Sequence, residues 1–226
     1  MNRQRERKMR YIIMCGGTYN DWNIPRQLLP VCGQPVVART IDILRAIGVD
    51  DIAISSNDTR FEQFGVPVLH HDNGFIGNAE SGGCWAEAFY PTDDLACYLM
   101  GDVVFSPAAI QKIVDTDTDD IEFFASAPPF HPAYPKPYAE PFAFKVVDQE
   151  HFRRAISFVR ANEDNGTFLR RPIAWELWQV IRNTPLNRIL LNYTAINDFT
   201  CDIDAPEDVA RIEMAIRRWQ HVRPDD

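Results

Sequence analysis

Tyr11-Ile12-Ile13-Met14-Cys15-Gly16-Gly17-Thr18 and, after a short polar stretch, Pro25-Arg26-Gln27-Leu28-Leu29-Pro30-Val31-Cys32-Gly33-Gln34-Pro35-Val36 decide the fold of this chain. The first run is apolar without alternation, the pattern of a strand buried on both faces, and it ends in a glycine pair. Glycine has no Cβ, so the backbone there can close on an anion and point successive N–H groups at it. Arg26, a few residues on, supplies a planar guanidinium that suits phosphate oxygens. A buried strand opening into a glycine loop with a cation beyond it is the layout of a nucleotide phosphate site.

Working outward, Val36, Val37, Ile41, Leu44 and Ile47 have helical spacing, closed by Gly48, and Ile52 to Ser55 reads as a second buried strand. Strand, helix, strand implies a right-handed crossover and a parallel sheet. Val66 to Leu69 and Leu95 to Met100 continue the strands, with a helix expected across Ala79 to Phe89. Ser106-Pro107 is an N-cap with proline at the first helical position, starting a helix through Val114. Ile121 to Ala127 and Pro141 to Val147 read as strands, and six of the chain's 16 prolines fall between Pro128 and Pro141. Helices over His151 to Ala161 and Ile173 to Arg182 follow, then strands at Ile189 to Tyr193 and Phe199 to Ile203. A last amphipathic helix carries Val209, Ile212, Ile216 and Trp219. The alternation predicts a three-layer, Rossmann-like α/β architecture with a mostly parallel sheet. It is read as one domain over 1–226, with a basic tail at 1–10 and a partial, acceptor-binding lid within 128–178.

A net charge of −9 excludes a broad nucleic-acid surface, which needs a basic face to displace counterions. No apolar run reaches the roughly 20 residues of a membrane span. Five cysteines, odd in number and without Cys-x-x-Cys spacing, indicate neither a disulfide framework nor a zinc site, and a reducing cytoplasm is the expected location. The first strand is not followed by Gly-x-Gly-x-x-Gly, and no Walker Gly-Lys-Ser/Thr is present, which disfavours a nicotinamide enzyme and a P-loop NTPase.

The opening resembles that of the GT-A-like nucleotidyltransferases, which join a nucleoside triphosphate to a phosphorylated sugar or alcohol and release pyrophosphate. Their pattern runs strand, Gly-Gly-x-Gly-x-Arg, spacer, Pro-Lys-x-Leu-x-Pro, two residues, Gly-x-Pro. Pro25 to Pro35 follows its second half with Arg26 in the place of lysine, while Thr18 to Asn23 lacks the loop arginine and contributes an acid, Asp21. The resemblance implies a GT-A-like sheet and a nucleotide held by Cys15, Gly16, Gly17, Thr18 and Arg26. A catalytically degenerate nucleotide-binding or regulatory module on the same fold is the alternative that the departures leave open.

Asp102 follows Gly101 at the carboxyl end of the fourth strand, the edge where ligands gather in parallel sheets. By turn statistics alone a plain Gly-Asp turn residue is commoner than a ligand; the resemblance implies a Mg²⁺ ligand that also contacts nucleotide. Asp202 and Asp204 would share one face of a strand and offer hard oxygen donors. Asp204 with Glu207 also reads as a capping box for the last helix. The implied catalytic set is Arg26, Asp102 and Asp204, and the metal set is Asp102, Asp204 and Asp202. Asn78 and Ser81 resemble the Asn-x-x-Ser of cytidylyltransferases and lean the donor toward CTP, although a helix start explains them as well. Lys145 and Glu176, with Arg170 or Arg171, are candidates for the acceptor; Trp175 and Trp178 read as core. The implied partners are a nucleoside triphosphate and a small phosphorylated acceptor, and a homodimer stays open.

Overall fold

The computed structural model describes residues 8–16, 24–71, 85–127, 139–186 and 192–222. The opening apolar run forms strand β1 (Arg10–Met14), buried from Tyr11 to Met14. A 3-10 turn at Arg26–Leu28 leads into a short hairpin, β2 (Pro30–Val31) and β3 (Gln34–Pro35), whose turn holds Cys32 and Gly33 at positive φ. Helix α1 (Val36–Ala46) buries Val36, Val37, Ile41 and Leu44 and is ended by Gly48 at φ 84°, whose N–H donates to Arg45 O. Then follow β4 (Ile52–Ser55), β5 (Val68–Leu69), β6 (Ala96–Met100) and β7 (Val103–Val104). The remaining elements are α2 (Pro107–Asp115), β8 (Ile121–Ser126), β9 (Pro141–Val146), α3 (Gln149–Asn162), α4 (Ala174–Ile181), β10 (Thr194–Ile196), β11 (Cys201–Asp202) and α5 (Pro206–Val222).

The central sheet has seven strands in the order β10-β8-β9-β6-β1-β4-β5, with helices on both sides. β9 alone runs against its neighbours, β6 and β8; every other pairing in the sheet is parallel. Cover on both faces explains why β1, β4 and β6 read as unbroken apolar runs. Trp175 and Trp178 pack on Phe123 of β8, as their spacing suggested. A second, smaller core joins Val31, Val36, Val104, Phe199, Cys201, Ile203, Ile212 and Ile216, so the opening hairpin and the chain's closing segment share one apolar base.

Some expectations shift. Of the helix across Ala79 to Phe89, the described part is a 3-10 turn at Trp85–Ala88. The strand expected at Ile189 to Tyr193 is found at Thr194–Ile196, and residues 187–191 lie outside the described ones. Phe199 to Ile203 yields only β11, which leaves the main sheet to pair antiparallel with β7. Gly17, Thr18, Asp21, Asn78, Ser81 and the proline-rich link 128–138 also lie outside the described residues. Among those described, no helix is long and apolar enough to cross a membrane.

Gly101, just past β6, lies against the end of β1. Its N–H donates to Met14 O at 3.1 Å, and a Cβ added there would stand 2.2 Å from that same oxygen. Both partners are backbone, so neither can swing aside. Gly101→Ala is therefore expected to cost about 1–3 kcal/mol through forced displacement, read as a melting-temperature drop of roughly 2–4 °C per kcal/mol. An unchanged melting curve would show that the approach is slack.

Candidate active site

β1, β4 and β6 end side by side, which brings Cys15-Gly16, Ser56 and Gly101-Asp102 to one edge of the sheet. Cys15 N–H donates to Ser55 O at 2.9 Å, and Ser56 Oγ donates to Cys15 O at 2.9 Å, fixing the direction in which the chain leaves β1 for its glycines. The Cys15 thiol is fully buried, and burial with the nearby Asp102 charge pushes its pKa well above the ordinary value. It is a wall of the site, and its backbone is what faces the loop.

Asp102 is welded to the end of the chain. Ile203 N–H donates to Asp102 O at 3.0 Å, continuing the β7–β11 ladder in which Asp202 lies opposite Val103. That ladder places Asp202 and Asp204 beside Asp102, although a hundred residues separate them. Arg26 closes the group: its Nη1 lies 3.9 Å from Asp102 Oδ2 and 3.7 Å from Asp204 Oδ1, and donates to Ile203 O at 3.2 Å. The three residues read from sequence as catalytic therefore meet in space.

A further acid, Asp208, holds the start of α5. Asp208 Oδ2 accepts the N–H groups of Asp204 at 2.9 Å and Ala205 at 2.8 Å. The Asp204 side chain, about half exposed, turns instead toward Arg26.

Glu140 is the residue that the sequence did not reveal. Carboxylate oxygens of Glu140, Asp202 and Asp204 all lie within 4.8 Å of one another. Glu140 is buried at the start of β9, where its N–H donates to Ser126 Oγ and its carbonyl accepts from Ser126 N–H. Only the reversed direction of β9 carries its first residues to the carboxyl edge of β6, and nothing in the local pattern sets that direction. An acid wedged between Ala139 and Pro141 at a strand start was the one available signal.

Crowded acids change each other's titration. Burial, then the neighbouring Asp202 charge, push the Asp102 pKa from 3.8 up to about 6, against the lowering pull of Arg26.

Two acceptor candidates are occupied elsewhere. Lys145 is buried at the opposite end of the sheet, opposite Cys97 in the register, and its ammonium donates to the carbonyls of Ile113, Val114 and Thr116. It caps the carboxyl end of α2. Glu176 accepts from Ile173 N–H at 3.0 Å and pairs with Arg170 at 2.7 Å, so it holds the first turn of α4. Arg171 pairs with Glu163. His71 Nε2 donates to Glu87 O at 2.7 Å.

The sequence profile described as the MobA-like NTP transferase domain matches residues 11–171, which include Gly16, Arg26, Asp102 and Glu140. The chain belongs to that family. Membership makes it a nucleotidyltransferase, and the sheet is the family's Rossmann-like α/β form. Among solved structures, it is similar to a 4-diphosphocytidyl-2C-methyl-D-erythritol synthase from Anaerococcus prevotii, at 11% identity and TM-score 0.59, over 93% of this chain and 96% of that one. It is similar to the inositol-1-phosphate CTP transferase of T. maritima at 12% identity and TM-score 0.57, over 93% and 96% of the two chains. A putative glucose-1-phosphate thymidylyltransferase from Bacillus anthracis matches at 15% identity and TM-score 0.50, over 97% and 96%. Identities this low carry the fold alone. No curated protein sequence gives a significant match.

The transferase makes two predictions here. Lys145→Met strands the carbonyls that end α2 and should cost about 1–3 kcal/mol on denaturant unfolding while leaving the KM for any acceptor unchanged; a raised KM would return Lys145 to the site. In chelator, the folded protein holds a proton on Asp102 between pH 3.8 and about 6 that the unfolded chain releases. Stability therefore falls as pH rises through that window. Asp102→Asn removes the penalty, so its melting temperature should exceed the parent's above pH 6 and converge with it below pH 4.

Proposed function

We propose that this transferase moves a nucleotidyl group from a nucleoside triphosphate, with CTP favoured, to a phosphorylated sugar or alcohol, and that it does so with Mg²⁺. The observation that carries the reading is the meeting of Arg26 with Asp102 and Asp204 beside the glycine turn, with Asp202 and Glu140 behind them. The leaning to CTP rests on Asn78-x-x-Ser81 and on two cytidylyl-named neighbours of the same fold.

The donor set suits a hard divalent cation, because Glu140, Asp202, Asp204 and Asp102 offer carboxylate oxygens and no sulfur or imidazole. Glu140, Asp202 and Asp204 would hold it with Asp102 beside them. When bound, Mg²⁺ supplies charge neutralisation at the α-phosphate. The chain's residues do the rest by placement. An acceptor phosphate oxygen, ionised at neutral pH, forms the new bond to the α-phosphorus; the bond to the bridging oxygen breaks, and pyrophosphate leaves with that electron pair. No proton has to move, so no dedicated base is needed. Arg26 holds positive charge beside the acids, and Ile203 O fixes the guanidinium.

Pyrophosphate release from CTP, UTP, dTTP, ATP and GTP across a panel of sugar and polyol phosphates tests this. Release should require both substrates and Mg²⁺. Asp102→Asn, Asp204→Asn and Arg26→Ala should each lower kcat about a hundredfold or more, on the scale of one lost electrostatic stabiliser. Glu140→Gln should raise the Mg²⁺ requirement by roughly tenfold. Nucleotide binding without turnover under every pairing would favour the non-catalytic module instead.

A further inference from the structure

Arg26 stands among the acids that the proposed reaction needs for its cation. Its guanidinium Nη1 lies 3.7 Å from Asp204 Oδ1 and 3.9 Å from Asp102 Oδ2, and Asp204 is also one of the three carboxylates, with Glu140 and Asp202, grouped within 4.8 Å. We propose that Arg26 and a divalent cation compete for these acids, and that the triphosphate of the nucleotide ends the competition by drawing the guanidinium onto itself. The inference rests on the nucleotidyl-transfer reading above and adds a regulation to the same site: tight metal binding waits for nucleotide.

Shared charge is the reason for the competition. Asp204 cannot give its full charge to Arg26 and to a cation at once, and two positive groups a few ångströms apart repel in a cleft that water screens only in part. The guanidinium is able to leave. Separations of 3.7 and 3.9 Å are charge contacts longer than a hydrogen bond, and its 3.2 Å bond to Ile203 O is at the long end of the range. The side chain is 34% exposed, which leaves room for it to turn. Its backbone need not follow: Leu28 N–H donates to Pro25 O at 2.9 Å and Leu29 N–H to Arg26 O at 3.0 Å, so the 3-10 turn stays fixed while the side-chain torsions change. A triphosphate is the stronger partner, because a planar guanidinium meets phosphate oxygens through two parallel hydrogen bonds, whereas Asp102 and Asp204 hold it by charge at longer range. By linkage, the factor that nucleotide adds to metal affinity is the factor that metal adds to nucleotide affinity.

Mn²⁺ is the probe, titrated into the full chain at about pH 8, where Asp102 is ionised, and followed by the electron paramagnetic resonance of the free ion. Without nucleotide, the parent should bind it with a Kd of order 10⁻³ M, and Arg26→Gln should bind it about tenfold more tightly. Arg26→Lys keeps the positive charge and should stay within about threefold of the parent. Asp204→Asn should weaken binding about tenfold or more, which locates the ion at the cluster. After correction for the ion's own binding to nucleotide, the ratio of Mn²⁺ affinities with and without saturating α,β-methylene CTP should be about tenfold smaller in Arg26→Gln than in the parent. Melting in chelator guards against a folding artefact: Arg26→Gln should melt lower than the parent, and Mn²⁺ should raise its melting temperature by more than it raises the parent's. Unchanged or weaker Mn²⁺ binding in Arg26→Gln, an unchanged ratio, or no effect of Asp204→Asn would each overturn the proposal. Turnover is a separate readout. A chain that never releases pyrophosphate, yet binds Mn²⁺ more tightly as Arg26→Gln, keeps the competition and loses the transfer; turnover with a metal affinity indifferent to Arg26 does the reverse.

Discussion

The pairing of β11 with β7, extended by Ile203 N–H donating to Asp102 O, is the constraint from which the site follows. A strand-end acid by itself is one carboxylate in a turn. Once the closing segment is zipped along the residues after Asp102, Asp202 and Asp204 arrive beside it with a fixed register, because an antiparallel ladder specifies which residues oppose. The ladder is short, and it holds because Val104, Phe199, Cys201 and Ile203 bury themselves with Val31 and Val36 in the smaller core. Burial of that surface by the hydrophobic effect is what keeps a two-residue strand pair in place.

Bringing four carboxylates together is electrostatically unfavourable without a counter-charge. Arg26 supplies one, between Asp102 and Asp204, and the Asp102 pKa is still raised, first by burial and then by the Asp202 charge. Fixed placement of this kind suits a family whose chemistry is nucleotidyl transfer, where positioning and charge neutralisation do most of the catalysis.

The smaller core also ties the opening hairpin to the closing helix: Phe199 lies in that core, and Cys32 at the hairpin turn donates its N–H to Glu213 of α5. The hairpin follows Arg26 directly, and α5 begins just after Asp204, so the pieces of chain that carry Arg26 and Asp204 rest on one apolar base.

Much of this was legible from local pattern. The unbroken apolar runs at Tyr11 to Met14, Ile52 to Ser55 and Ala96 to Met100 could only be doubly covered strands, and Gly48 and Ser106-Pro107 marked helix ends by their backbone chemistry. Arg26, Asp102 and Asp204 could be singled out because motif and strand-end position are local properties. Lys145 and Glu176 could not be placed, since a charge looks the same in sequence whether it caps a helix or meets a ligand. Glu140 was hidden for a deeper reason: its arrival beside Asp202 depends on β9 running against the sheet, a choice made by how strands far apart in sequence pack. The chain's own order of residues determined which segments are strands and helices and which strand end carries the glycine pair. Only tertiary structure decided which acids gather beside Arg26, because proximity between distant residues is set by ladder register and shared burial, neither of which is written in any single stretch.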